Sequence, residues 1–79
     1  MVDRLLRRAE IIKARGIGNT RHYRDIQNGL FPPPIPIGKR TKANPESEVA
    51  AINKAVVAGK SPDEIRELVR ELVAKRQAA

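Results

Sequence analysis

The chain has 79 residues and no cysteine, which excludes a disulfide scaffold, a thiolate metal site and a cysteine nucleophile. One small domain is the expected size class, and with Tyr23 and Phe31 as its only aromatics the core must come from leucine, isoleucine and valine. The net charge of +7 lies wholly in residues 1–43, where ten lysines and arginines face Asp3, Glu10 and Asp25, while residues 44–79 hold six charges of each sign. A positive field on one side of a small protein suits a polyanionic partner.

No apolar run approaches the ~18 residues a membrane span needs, and the basic start lacks the apolar stretch of a secretory signal. A cytoplasmic protein is expected. Met1–Asp3 reads as a loose end, and Arg4-Leu5-Leu6-Arg7 as a short strand or a lead-in whose leucines cover the core. Arg8–Arg15 predicts a first helix with Ile11 and Ile12 inward and Arg8, Lys13 and Arg15 on the solvent or phosphate side. Gly16 suits the left-handed position that ends a helix. Ile17 is the apolar anchor of the turn, and Gly18 or Asn19 caps a second helix running to about Asn28. Two short helices joined by a glycine-containing turn form a helix-turn-helix unit. At 100° per residue His22 and Ile26 turn inward, which leaves Thr20, Arg24 and Gln27, flanked by Arg21 and Asn28, on the face that would look at DNA.

Phe31 to Ala43 holds four prolines and is not helical. A polyproline ligand is one reading. A short β-hairpin with prolines on an edge strand fits better: Ile35 and Ile37 alternate, Gly38-Lys39-Arg40 turns, and Thr41-Lys42-Ala43 returns. Asn44 then reads as the cap of a third helix, with Pro45 in its first position, a stripe of Val49, Ile52 and Val56, and Gly59 after its end. Ser61-Pro62-Asp63-Glu64 opens a fourth helix through a capping box, and its last residues, 77–79, are expected to fray. The stripe Ile65, Leu68, Val69, Leu72 and Val73 needs a cover, supplied either by its own domain or by a second copy of the chain.

In order and spacing, Leu5-Leu6-Arg7, Gly16-Ile17-Gly18-Asn19-Thr20-Arg21-His22-Tyr23-Arg24, Gly29-Leu30-Phe31-Pro32 and Glu46-Ser47-Glu48-Val49 resemble the AlpA family of prophage regulatory proteins over about residues 4–52. The resemblance implies a MerR-like winged helix-turn-helix related to phage excisionases. It further implies a bacterial DNA-binding protein of a prophage or integrated island, acting as a transcriptional regulator, as a recombination directionality factor, or as both. Gly18, His22 and Asn44 stand where the family commonly has serine, a branched apolar residue and tryptophan. The helix from Ser61 onward extends past the family core.

The fold expected is therefore mainly α with a small β-hairpin: a winged helix-turn-helix over residues 1–59 and a C-terminal amphipathic helix over 60–79. Candidate DNA contacts are Asn19, Thr20, Arg21, Tyr23, Arg24 and Gln27 on the second helix, and Lys39, Arg40 and Lys42 on the wing. Arginine's fork matches guanine edges or phosphate, and the Tyr23 hydroxyl either meets a phosphate or covers the core edge. His22 reads as a packing residue. One histidine without a paired acid or nucleophile makes no catalytic constellation, and no metal spacing or phosphate loop is present. No cofactor is implied. Expected partners are double-stranded DNA and a separate integrase, with a homodimer or side-by-side copies on DNA as further partners. The alternative reading is a small basic adaptor that binds RNA or an acidic protein.

Overall fold

The computed structural model describes residues 3–77, in the order β1 (Leu5–Arg7), α1 (Arg8–Arg15), α2 (Asn19–Gln27), β2 (Ile35–Pro36), β3 (Lys42–Pro45), α3 (Glu46–Val57) and α4 (Pro62–Gln77). The expected loose and fraying ends at residues 1–2 and 78–79 lie outside the described residues. Gly16, at φ +70°, stops α1, and its amide donates to the Ile12 carbonyl at 2.9 Å. Gly18 caps α2 with extended backbone and contributes no side-chain cap. Gly29, at φ +74°, turns the chain out of α2 into the proline run.

The hairpin forms as expected: Ile35 pairs with Ala43, Pro36 with Lys42, and the Ile37 amide donates to the Thr41 carbonyl at 2.8 Å. Pro36 lies on the edge strand, where its missing donor costs nothing. The sheet has a third strand. β1 pairs antiparallel with β3, with Leu6 opposite Asn44, so the order is β1-β3-β2. Side chains alternate along a strand; Leu6 is therefore buried and Leu5 exposed, and only one of the two leucines covers the core.

Three expectations at α3 are corrected. Asn44 does not cap it. It sits within β3, 1% exposed, and its amide donates to the Pro32 carbonyl at 3.1 Å, pinning the proline run to the sheet. Pro45 takes the cap position rather than the first helical one. Capping comes from far along the chain: the Asp3 carboxylate accepts from the Ser47 amide at 3.0 Å and from the Ser47 hydroxyl. Asp3 is thus a structural residue and no loose end. Val56 is 56% exposed, and Ala55 continues the buried stripe after Val49 and Ile52.

The core gathers Leu6, Ile11, Phe31, Val49, Ile52 and Val69 from both ends of the chain. Ile12 and Ile17 are only half-buried. Of the α4 stripe, Val69 is buried in this core, and Ile65, Leu68, Leu72 and Val73 pack against it. The chain covers its own stripe. Those residues, considered above for self-association, are largely spent inside the monomer. Polar ties hold α4 in place as well. Arg66 donates to the Asn28 carbonyl at 2.9 Å, and Arg76 donates to the Pro33 carbonyl at 2.9 Å and to the Glu48 carboxylate at 2.5 and 2.7 Å. The capping box at its start is present: the Ser61 hydroxyl accepts from the Glu64 amide, and the Glu64 carboxylate accepts from the Ser61 amide. These bonds to Ser61, aided by Lys60, hold the Glu64 carboxyl below the usual range for glutamate.

Candidate nucleic-acid interface

The geometry of the candidate site begins with the buried side of α2. His22 and Asp25 are turned into the protein, and Ile26 is half-buried beside them. Arg15 comes from α1 to meet them. It was expected on the solvent or phosphate side, yet its side chain is only 8% exposed. Its guanidinium donates to the Asp25 carboxylate at 2.7 Å and to His22 Nδ1 at 3.1 Å, and lies 4.5 Å from the centroid of the Phe31 ring. His22 also meets Phe31 edge-on at 4.9 Å. An aromatic face, a carboxylate and an imidazole nitrogen together satisfy the guanidinium, which explains why a cation is found here. This cluster fixes the angle between α1 and α2.

The cluster also fixes the state of His22. Accepting at Nδ1 requires the neutral ring with its proton on Nε2. Burial pushes the His22 pKa below its ordinary value and the Arg15 cation pushes it further, while Asp25 pulls the other way. An unfolded chain titrates near the ordinary value of 6.5 and so takes up a proton before the folded chain does. The stability held by the neutral ring is complete above that value and falls away as pH drops through the folded pKa. Urea midpoints are expected to stay level above about pH 7 and to decline from about pH 6.5 downward, ahead of the carboxylates. His22→Leu is expected to flatten that decline; an unchanged decline in the variant would show that other groups cause it.

With its inner side locked, α2 turns the predicted contact residues outward. Asn19, Thr20, Arg21, Tyr23, Arg24 and Gln27 are all exposed, as are Lys39, Arg40 and Lys42 on the hairpin. Arg21, Arg24, Lys39, Arg40 and Lys42 form no ion pair among the described residues, in contrast to Arg4 and Arg15. The outer residues are not one cluster. Tyr23, Arg40 and Lys42 line a common cleft, whereas Thr20, Arg24 and Gln27 follow one side of α2 and Lys39 stands at the hairpin tip.

Two further cations enter that cleft, Arg7 and Arg8. Arg8 hydrogen-bonds the Tyr23 hydroxyl, and its guanidinium lies 5.6 Å from the centroid of the Tyr23 ring. Reading the sequence alone gives Arg8 only as a generally outward cation and does not select Arg7. Their sole signal is charge, because the pairing of β1 with β3 that carries them to the hairpin is a long-range event.

Among the described residues no helix is long and apolar enough to cross a membrane. No match is found among curated proteins or among solved structures. The family described as prophage CP4-57 regulatory protein (AlpA) does match, over residues 4–51, which runs from the approach to β1 through both short helices and the hairpin into α3. The match covers well over half the chain and includes the whole basic surface, so the chain belongs to the AlpA family of prophage regulatory proteins.

Proposed function

We propose that this protein is a sequence-specific DNA-binding regulator of a prophage or integrated element, with α2 as the recognition helix and the β2–β3 hairpin as a wing. One observation carries the reading. The inner side of α2 is clamped by Arg15, His22 and Asp25, while its outer side presents Arg21, Arg24, Thr20 and Gln27 uncommitted beside a cationic hairpin. A rigid helix with free bidentate donors is what reading base edges in a major groove requires. Lysine and arginine at a hairpin tip suit phosphates, which position a protein without specifying sequence. Membership of a prophage regulatory family supports the same reading. The work is binding, with bending of the duplex to bring more surface into contact. It serves transcriptional control, excision of the element, or both, and strand exchange would belong to a separate integrase.

A gel-shift titration on the protein's own promoter or attachment-site DNA tests this. Site-specific binding that survives competitor DNA and weakens steeply with salt is expected. Arg24→Ala is expected to lose about 1–3 kcal/mol of discrimination between sites, and Lys39→Ala to weaken all sequences alike and lower the salt slope by about 1. Equal affinity for every duplex overturns sequence-specific recognition. Loss of affinity in both variants with no change of preference overturns the assignment of α2.

A further inference from the structure

The cleft between the β1–α1 junction, α2 and the hairpin has a volume of about 500 Å³, within the size range of small-ligand sites. Arg7 and Arg8 come from the junction, Arg40 and Lys42 from the hairpin, and Tyr23 from α2. No carboxylate lines it, and none of the four cations forms an ion pair among the described residues. Four like charges gathered from separate segments repel one another, and an anion relieves that repulsion. Ile26 and Pro34 add apolar lining, which suits a carbon skeleton attached to the anion.

We propose that this cleft is a binding site for a sugar–phosphate unit. The phosphate bridges Arg8, Lys42 and the Tyr23 hydroxyl, and the sugar lies against Ile26 and Pro34. The Arg8–Tyr23 pair prepares the site: one N–H of the guanidinium is bound to the hydroxyl, and the remaining N–H groups of the fork stay free for two phosphate oxygens. Two sources offer this chemistry, a backbone phosphate of duplex DNA and a free nucleotide. The first rests on the DNA-binding reading above and the second does not.

The test uses the full chain and two variants, Arg8→Gln and Tyr23→Phe, each checked for an unchanged thermal midpoint. Tyr23→Phe keeps the ring and removes only the hydroxyl. In the DNA arm, a bound duplex is scanned with single uncharged methylphosphonate linkages. At least one linkage is expected to weaken the wild type several-fold and to have much less effect on Arg8→Gln, whose salt slope drops by about 0.9. In the nucleotide arm, deoxyadenosine monophosphate is titrated against deoxyadenosine and inorganic phosphate, with the backbone amide resonances of Ile26 and Lys42, present in both variants, as the readout. Saturable shifts with the monophosphate alone, lost in both variants, identify a free nucleotide as the source. Site-specific binding with no linkage effect that Arg8→Gln removes, together with no response to the nucleotide, overturns the cleft and leaves the DNA reading standing. A wild type that binds no duplex overturns the DNA reading, and the cleft then stands or falls on the nucleotide arm.

Discussion

Asp25→Ala is expected to destabilise the fold by about 3–5 kcal/mol, because it leaves the Arg15 guanidinium buried without its counter-charge. A chain of this length holds only about 4–12 kcal/mol in total, so the variant sits at the edge of folding. Urea denaturation followed by circular dichroism measures the loss. Asp25→Asn keeps an acceptor and is expected to lose less. The double variant Arg15→Leu, Asp25→Ala removes both charges and is expected to recover part of the stability, as replacement of buried pairs by apolar residues often does. A loss below 1 kcal/mol for Asp25→Ala would mean that the pair is solvated and does not set the angle between α1 and α2. The functional consequence runs through the same residues. Asp25 lies one position from Arg24, so under the proposed DNA-binding function a loosened α2 is expected to weaken sequence-specific binding more than non-specific binding.

The second large effect concerns α4, all of which lies beyond the matched family region. Arg76→Ala is expected to cost about 3–5 kcal/mol, and Glu48→Ala about 1.5–3 kcal/mol. The asymmetry follows from burial. Removing Arg76 strands a carboxylate whose side chain is 5% exposed, and also leaves the Pro33 carbonyl with only the longer bond from Asn44. Removing Glu48 leaves an arginine that is 20% exposed, still donates to Pro33 and can turn its head toward water. Thermal or urea midpoints of the two variants give the order directly. The reverse order, or no effect from either, would show that α4 is held by its apolar stripe alone.

Much of the element order was legible because its signals are local. Gly16 and Gly29 end helices through their own φ, Pro62 and Ser61 start α4, and the prolines after Phe31 forbid a helix. The inward turn of His22 and Ile26 followed from helical periodicity, and so did the exposure of Thr20, Arg24 and Gln27. Errors came where a partner distant in sequence outbid the local preference. Asn44 looks like a cap beside Pro45, but two proline carbonyls left without amide partners claim its side chain. Asp3, at the start of the described chain, supplies the cap instead. Val56 has the right spacing for the stripe, yet nothing packs over that part of α3, and Ala55 holds the buried position.

By itself the sequence determined the segments, the hairpin, the charge asymmetry and the outward face of α2, since each depends on φ preferences, on periods of 2 or 3.6, or on formal charge within a few residues. Tertiary structure alone decided which cations remain free for a ligand. Arg15 and Arg8 look equivalent on α1. One is buried under Phe31 against Asp25, and the other lies over Tyr23 at the mouth of a cleft. The reason is that an arginine's role depends on which aromatic and which carboxylate lie within reach, and those neighbours arrive through the packing of α2 and the pairing of β1 with β3. The same holds for Ala9–Phe31 as a whole. Its helices and turn are written locally, but the basic cleft beside it exists only once the N-terminal strand has crossed to the hairpin.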